Sequence, residues 1–466
     1  MLDLSALKQQ IGEKPVAVFG LGVSGLSTVR ALVSADIEVI AWDDKEASQD
    51  KAAALGAAIH NLNEFDMAQC AFLVLAPGIP YTFEPHVIVT KAQSADVEIL
   101  CDIELFHRAH PDTKTIGITG TNGKSTTTAL MTHVLNQCGY KAVMGGNIGV
   151  AICDIDMSEE YDYVVLELSS YQLDLCPTFR PNYSVLLNIT PDHLDRHGSM
   201  KAYVEAKKII LEGEGKAVIG VDDDFTNKIF EETFLEGDRN VTPVSVQLEI
   251  PEGIYVSKGN LFLNSRGEDR VVGDLSDMPT LKGRHNHQNV ACVYSVMRDL
   301  NIDDVDILSA CESYPGLQHR QFLVAHHNNV TYVNDSKATN GEAAAKALSS
   351  YDNIFWIIGG RAKDPGLEGL EIFKDKIKKT YVIGECALLF GAWLDHHRFN
   401  HRQCGELHRA VEAAHNDAQG FDGEAVVLSS PATASWDQFA SFEKRGEAFI
   451  DKVNMLIQSE DEKGAA

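Results

Sequence analysis

The 466-residue chain is 44% hydrophobic and 23% charged, with a formal net charge of −27, which describes a globular protein with room for about three domains. Forty Lys and Arg stand against 67 Asp and Glu, so the chain has no basic excess with which to bind a nucleic-acid backbone, and no nucleic-acid partner is expected. Nine scattered cysteines without a C-x-x-C pair suit a reducing compartment. The N-terminal stretch MLDLSALKQQIGEKPV has no signal pattern, and no segment approaches the roughly 18 apolar residues of a membrane span. A cytoplasmic protein without membrane insertion is the expectation.

The first hundred residues alternate short apolar runs with helical ones. Strands are expected at residues 16–19, 38–42 and 72–76, with helices to about residue 35 and near 45–55. This βαβ rhythm implies a parallel sheet. The loop GLGVSG, residues 20–25, follows the first strand and opens the first helix, which is the G-x-G-x-x-G setting for a diphosphate at a helix N-terminus. Asp43 and Asp44 fall about 20 residues on, where a ribose-binding acid belongs. The loop alone leaves NAD and another diphosphate both open. A Pro-Gly loop around Gly78 follows the third strand.

A second α/β block begins with a strand at residues 114–119 and the loop GTNGKSTT, residues 120–127. Lys124 is placed to reach outer phosphates and the Ser125 hydroxyl to hold Mg²⁺. Strict G-x-x-x-x-G-K spacing fails, because Ile118 stands five before Gly123. Downstream strands at 163–168 and 183–189 end in Glu167 and in Thr-Pro-Asp-His193. A carboxylate and an imidazole at neighbouring strand ends suit Mg²⁺ near a γ-phosphate; each alone is equally a surface acid or a loop histidine. Residues 203–208 read as a solvated helix face. His285 and His287 at a helix start, and the run His396-His397-Arg398-Phe399-Asn400-His401, suggest zinc only weakly, without a second ligand cluster.

The last block has strands expected at 330–334, 354–358, 380–383 and 425–429, each ending in small or polar residues, as ligand-facing loops do. Asn334-Asp335-Ser336-Lys337 reads equally as a helix cap. The tail from Ser459 is polar and expected to fray.

The irregular phosphate loop, together with ELSSYQL, TPDHLDRH, NDSKATN and SPATASWDQF, resembles the Mur ligase superfamily over essentially the whole chain. The resemblance implies an α/β protein of three domains: a Rossmann-like parallel sheet at 1–103 for a uridine precursor, a central P-loop ATPase-like domain at 104–316, and a Rossmann-like amino-acid domain at 317–466. It points to the branch that adds D-glutamate to UDP-N-acetylmuramoyl-L-alanine, because the D-N-P-R motif of the diaminopimelate and lysine branch is missing. Uridine diphosphate then replaces NAD as the ligand expected at the first loop.

Residue by residue, the resemblance implies ATP contacts at Gly120, Thr121, Asn122, Gly123, Lys124, Ser125, Thr126, Asn286, Asn289, Arg320 and Asp335. Metal ligands are expected at Ser125, Glu167, His193 and Lys207, with ATP, two Mg²⁺ ions and a carbamylated Lys207 as cofactors. Val23, Ser24, Asp43, Asp44, Lys45, Gly78, Asn147 and His193 match precursor contacts; Lys45 stands where an Arg is common. Thr339, Lys363, Ser435, Trp436 and Phe442 match D-glutamate contacts, Trp436 in place of a smaller aliphatic residue. Lys124, His193, Lys207, Arg320 and Lys337 are the expected catalytic set, in a monomer.

The implied mechanism phosphorylates the alanyl carboxylate, a poor electrophile until activated, and the D-glutamate amine then attacks the acyl phosphate. A folylpolyglutamate synthase would not need the first glycine-loop domain. A nicotinamide oxidoreductase would leave Lys124 unexplained, and a nucleotide switch would leave Lys363 and Ser435 without a task.

Overall fold

The computed structural model describes residues 2–237, 239–361 and 366–464. The chain forms two compact units, Met1–Tyr314 and Pro315–Ala466, and among the described residues their strands make three sheets.

The first sheet comprises β1 (Val16–Phe19), β2 (Val39–Trp42), β3 (Ala58–Ile59), β4 (Phe72–Leu75) and β5 (Glu98–Leu100) in the order β3-β2-β1-β4-β5. All its pairings are parallel. β1 is apolar at every position and buried throughout, as a central strand covered on both faces must be. The order reverses between β1 and β4, and ligand loops of such sheets gather at that point. There the chain places the glycine loop, the Pro77-Gly78 turn and Asp43. Gly20 has φ +89, and a Cβ on Gly25 would lie 2.0 Å from the Gly20 carbonyl oxygen. Only glycine lets the helix Val23–Ser34 start so close to its strand.

The second sheet runs β14-β13-β12-β11-β10-β9-β6-β8-β7, with β6 (Thr115–Thr119), β7 (Ala142–Gly146), β8 (Tyr163–Glu167), β9 (Tyr183–Leu186), β10 (Lys216–Gly220), β11 (Val241–Ser245), β12 (Gly253–Ser257), β13 (Asn260–Ser265) and β14 (Glu268–Asp274). Strands β7 to β12 pair in parallel, whereas β12, β13 and β14 form an antiparallel extension. Fully buried β6 delivers the phosphate loop at its C-terminal end. One hydrophobic core continues from β1 and β4 to Leu166, Leu186, Tyr203 and Ile219, and thus joins the first two sheets. Glu104, fully buried on the helix Asp102–Ala109, reinforces the joint: it accepts from Thr178 N (3.1 Å), Phe179 N (2.9 Å) and Arg108 Nε (2.8 Å). A buried carboxylate persists only when its oxygens are satisfied in this way.

The second unit holds β15 (Phe322–His327), β16 (Val330–Asn334), β17 (Ile354–Gly359), β18 (Ile377–Ile383), β19 (His401–Gly405) and β20 (Ala425–Ser429), ordered β15-β16-β20-β17-β18-β19. Every pairing except β15 with β16 is parallel, so the fold is α/β with doubly wound sheets. The expected frayed tail is corrected as far as the described residues go: the helix Phe442–Gly464 extends past Ser459 to Gly464. Glu460 anchors that stretch, accepting from or pairing with His327 Nε2 (3.1 Å) and His415 Nε2 (3.0 Å). Polar composition signalled fraying because these partners lie more than forty residues away in sequence. Among the described residues, no helix is long and apolar enough to cross a membrane.

Candidate active site

The helix Lys124–Gln137 begins at the phosphate loop, with Gly123 at its N-cap in the left-handed region (φ +86) and Gly120 at φ +155. The first N–H groups of a helix have no partner within it and favour an anion. Upstream of them the loop is tied to Asn188, beyond β9. Thr121 N donates to the Asn188 carbonyl (2.8 Å) and Asn122 N to Asn188 Oδ1 (2.9 Å), while Asn188 Nδ2 donates to the Asn122 carbonyl (3.1 Å). Thr121 and Asn122 therefore shape the cradle, and the donors left for phosphate belong to the helix start, where Ser125 and Thr126 sit half-buried. Asn289 lies against the same turn: a Cβ on Gly123 would come within 2.7 Å of its Oδ1, and its Nδ2 donates to Asn286 Oδ1 (3.1 Å).

Two ammonium groups meet at one oxygen. Lys124 Nζ donates to the carbonyls of Gly120 and Thr121 (both 2.8 Å), and Lys207 Nζ donates to the same Gly120 carbonyl (2.9 Å). Lys207 is buried; burial, aided by the Lys124 charge, brings its ammonium down from 10.5 to about 7. The solvated helix face expected from composition is thus corrected at this position, because helix Met200–Lys208 turns Lys207 under the loop. Lys208 points elsewhere and pairs with Glu232 at 2.8 Å.

Glu167, at the end of β8, is 1% exposed. Its Oε1 accepts from Asn147 Nδ2 (2.7 Å), but its Oε2 is buried without a hydrogen-bond partner. An orphaned carboxylate oxygen in a buried setting is costly unless a cation completes it. Asn147 N also donates to the Glu167 carbonyl (2.9 Å). His193 is exposed, with φ +52, a conformation that a non-glycine residue adopts only when its surroundings hold it there. Its ring faces Tyr171 at 5.2 Å. Among the described residues no three His, Cys, Asp or Glu gather as a metal cage, so the zinc readings at His285, His287 and residues 396–401 gain no support. Glu167 suits instead a hard cation whose other ligands are chiefly phosphate and water.

At the first sheet, Asp43 does not offer a free carboxylate to a ribose. Leu21 N donates to its Oδ2 (2.6 Å) and Lys45 N to its Oδ1 (2.9 Å), so Asp43 braces the glycine loop. Val23, Asp44, Lys45 and Gly78 are exposed around it and Ser24 is half-buried, at the reversal point of the strand order.

In the second unit, Asp335 follows β16 and is buried, accepting from Gln321 N (3.1 Å) and Ser430 Oγ (2.7 Å). Burial raises its carboxyl from 3.8 to about 7. Arg320 is exposed, and Lys337 Nζ lies over the Phe442 ring at 5.6 Å. Thr339 is half-buried, Ser435 buried and Trp436 62% exposed. Lys363 lies outside the described residues. Arg445, buried and 109 positions after Ser336, was not singled out by motif, yet it binds the strand-end loops together. It donates to Ser336 Oγ (3.0 Å), the Ser336 carbonyl (2.9 Å) and the Thr433 carbonyl (3.0 Å).

The Mur ligase middle domain family matches residues 118–297, and the Mur ligase MurD-like N-terminal domain family matches residues 14–101. A protein of Rhizobium meliloti named UDP-N-acetylmuramoylalanine–D-glutamate ligase is 45% identical over 449 residues, covering 95% of this chain and 96% of its own. One of the same name from Caulobacter vibrioides is 44% identical over 455 residues, with 95% and 96% covered. The chain belongs to the Mur ligase family. Its fold is shared with the UDP-N-acetylmuramate–alanine ligase of Thermotoga maritima, at TM-score 0.55 and 17% identity over 95% of this chain and 99% of that one.

For this Mur ligase, Asn188 is the residue that motif reading passed over; its signal was an Asn between a buried strand and Thr-Pro-Asp-His. Asn188→Ala removes two side-chain hydrogen bonds from the phosphate loop, and ADP binding should weaken by about tenfold on the usual worth of such bonds. Calorimetric titration with ADP checks this; unchanged affinity would remove Asn188 from the site. Asp335, protonated in the fold up to about pH 7 and ionised above about 3.8 when unfolded, contributes stability that is full below pH 4 and lost as pH rises through 7. The melting temperature of the wild type relative to Asp335→Asn should fall across that window, and a flat difference would contradict the assignment.

Proposed function

We propose that the chain is an ATP-dependent ligase that joins D-glutamate to UDP-N-acetylmuramoyl-L-alanine, giving ADP and phosphate, in peptidoglycan precursor synthesis. The observation that carries the reading is the meeting of Lys124 and Lys207 on one carbonyl beside the phosphate loop, in a chain 45% identical to a D-glutamate ligase. Residues 1–103 are taken as the precursor domain, 104–316 as the ATP domain and 317–466 as the amino-acid domain of a cytoplasmic monomer.

In this reading Lys124 and the N-terminus of helix Lys124–Gln137 bind and orient the outer phosphates and stabilise the charge that develops as the γ-phosphoryl group moves to the alanyl carboxylate. Ser125, Glu167 and His193 would hold Mg²⁺, which supplies neutralising charge to the phosphates when bound. Lys207, with an ammonium that titrates near 7, has a large neutral fraction at physiological pH. A neutral amine attacks carbon dioxide at carbon, loses a proton and becomes a carbamate, so Lys207 is the residue assigned to that modification. The added carboxylate would turn the Lys124–Lys207 repulsion into an attraction and supply a further oxygen ligand for metal.

Val23, Ser24, Asp44, Lys45, Gly78, Asn147 and His193 are assigned to the uridine precursor, and Asp43 to bracing the loop that receives its diphosphate. Asn286 and Asn289 are assigned to the adenine end, and Arg320 and Asp335 to the ATP phosphates and ribose. Lys337, Thr339, Lys363, Ser435, Trp436 and Phe442 are assigned to D-glutamate and the reacting carboxyl. The amine of D-glutamate attacks the acyl phosphate, forming the amide C–N bond as the C–O bond to phosphate breaks through a tetrahedral intermediate.

ADP release should require both the uridine precursor and D-glutamate and fail with L-glutamate; release indifferent to either substrate defeats the reading. Lys207→Ala should lose at least about a hundredfold in kcat, the scale expected for removing a charge-positioning group, and recover in part with an added short-chain carboxylic acid. An inactive variant that such acids leave inactive would argue against carbamylation.

A further inference from the structure

The segment that carries His193 reaches back to the first sheet three residues later. Arg196, in the short helix Leu194–His197, donates through Nη2 to the carbonyls of Pro77 (3.4 Å) and Ile79, the two residues flanking Gly78. Its guanidinium carbon sits 5.1 Å from the centre of the Tyr171 ring, the ring that also faces His193 at 5.2 Å and stacks on His197 at 5.4 Å. His197 Nε2 is in turn 2.9 Å from Ser170 Oγ. A second contact joins the same two segments: Gly198, at φ +73, lies so close to Phe83 that a Cβ there would come within 2.4 Å of the ring. Residues 77–83 and 193–198 are thus held at both ends.

The hold is specific to a planar cation. Arg196 Nε is buried without a hydrogen-bond partner, a cost that a residue used only as packing would avoid. Its Nη2 reaches two main-chain carbonyls of a turn in which Pro77 and Pro80 supply no N–H groups. One guanidinium satisfies both carbonyls while its face rests on an aromatic ring, which an ammonium cannot do.

We propose that Arg196 is a positioning residue for the uridine nucleotide: it fixes the turn at residues 77–79 against the segment bearing His193, so that the precursor meets a preformed loop rather than one it must order on binding. This rests on the reading above, in which Gly78 and His193 both touch that precursor. A preformed loop spares the ligand the ordering cost, and the benefit appears in precursor affinity alone.

The test compares the full-length wild type with Arg196→Lys and Arg196→Gln. Loss of two hydrogen bonds to a charged donor corresponds to about a tenfold or larger rise in KM for UDP-N-acetylmuramoyl-L-alanine, with KM for ATP within about twofold of wild type. Arg196→Lys, which keeps the charge, should fall short of restoring precursor binding. Equal precursor KM in wild type and variants overturns the inference, as does a parallel rise in the KM for ATP, which would mark a general structural role. Should Arg196→Gln fail to fold, the melting temperature reports it and Arg196→Lys alone carries the comparison. Calorimetry with the precursor and no ATP separates the two claims. If the wild type does not bind, the functional reading fails; if wild type and Arg196→Lys bind equally, only the role of Arg196 fails.

Discussion

Two ammonium groups sharing the Gly120 carbonyl set the terms for everything around the phosphate loop. One of them is buried, and its neighbour's charge works against its own, so the arrangement is electrostatically incomplete until anionic groups arrive. A triphosphate supplies several negative charges at the end of the helix Lys124–Gln137 that already favours them. The nearby Glu167 oxygen without a donor has the opposite need, for a cation. Excess positive charge under the loop and an unanswered carboxylate at the next strand end are complementary requirements, and a nucleotide bound with a divalent ion answers both at once.

Such a site must be stiff, because a loop free to collapse would let Lys207 and Glu167 neutralise one another directly. The stiffness comes from groups that need touch no ligand. Asn188 occupies the donors and the acceptor of residues 121–122, Tyr203 reaches Thr121 Oγ1 at 3.0 Å, and Thr121 N–H is turned away from any phosphate. Asp43 does the same for the first cradle, taking the N–H of Leu21 and of Lys45.

Much of this was legible in the chain itself. The βαβ rhythm, the two glycine loops and the strand ends carrying Glu167, His193 and Asp335 depend on local pattern, and strands 330–334 and 425–429 coincide residue for residue with β16 and β20. The antiparallel extension β12 to β14 was not seen, because β14, Glu-Asp-Arg-Val-Val-Gly-Asp, is mostly exposed and has no period-2 apolar signal. Nor was the burial of Lys207, since charge runs on helices usually face water; only the tertiary position of the helix Met200–Lys208 turns that lysine inward. Asn188, Arg196 and Arg445 escaped for the same reason: each acts on main-chain groups far away in sequence, and a carbonyl has no signature in the amino-acid alphabet.

The two cradles look alike in sequence and differ in how their charge is balanced. The first has no lysine in the loop; its brace is a carboxylate, Asp43, and its neighbouring turn is held by Arg196 from the second sheet. Anion binding there falls to backbone N–H groups and the start of the helix Val23–Ser34, which suits a diphosphate that is bound and kept intact. The second places the Lys124 ammonium where charge would move during phosphoryl transfer, with Lys207 beneath the same carbonyl. A loop that only holds a phosphate can be built from dipoles, whereas a loop that must stabilise a moving one needs a full charge, and of the two glycine loops only the second carries a lysine.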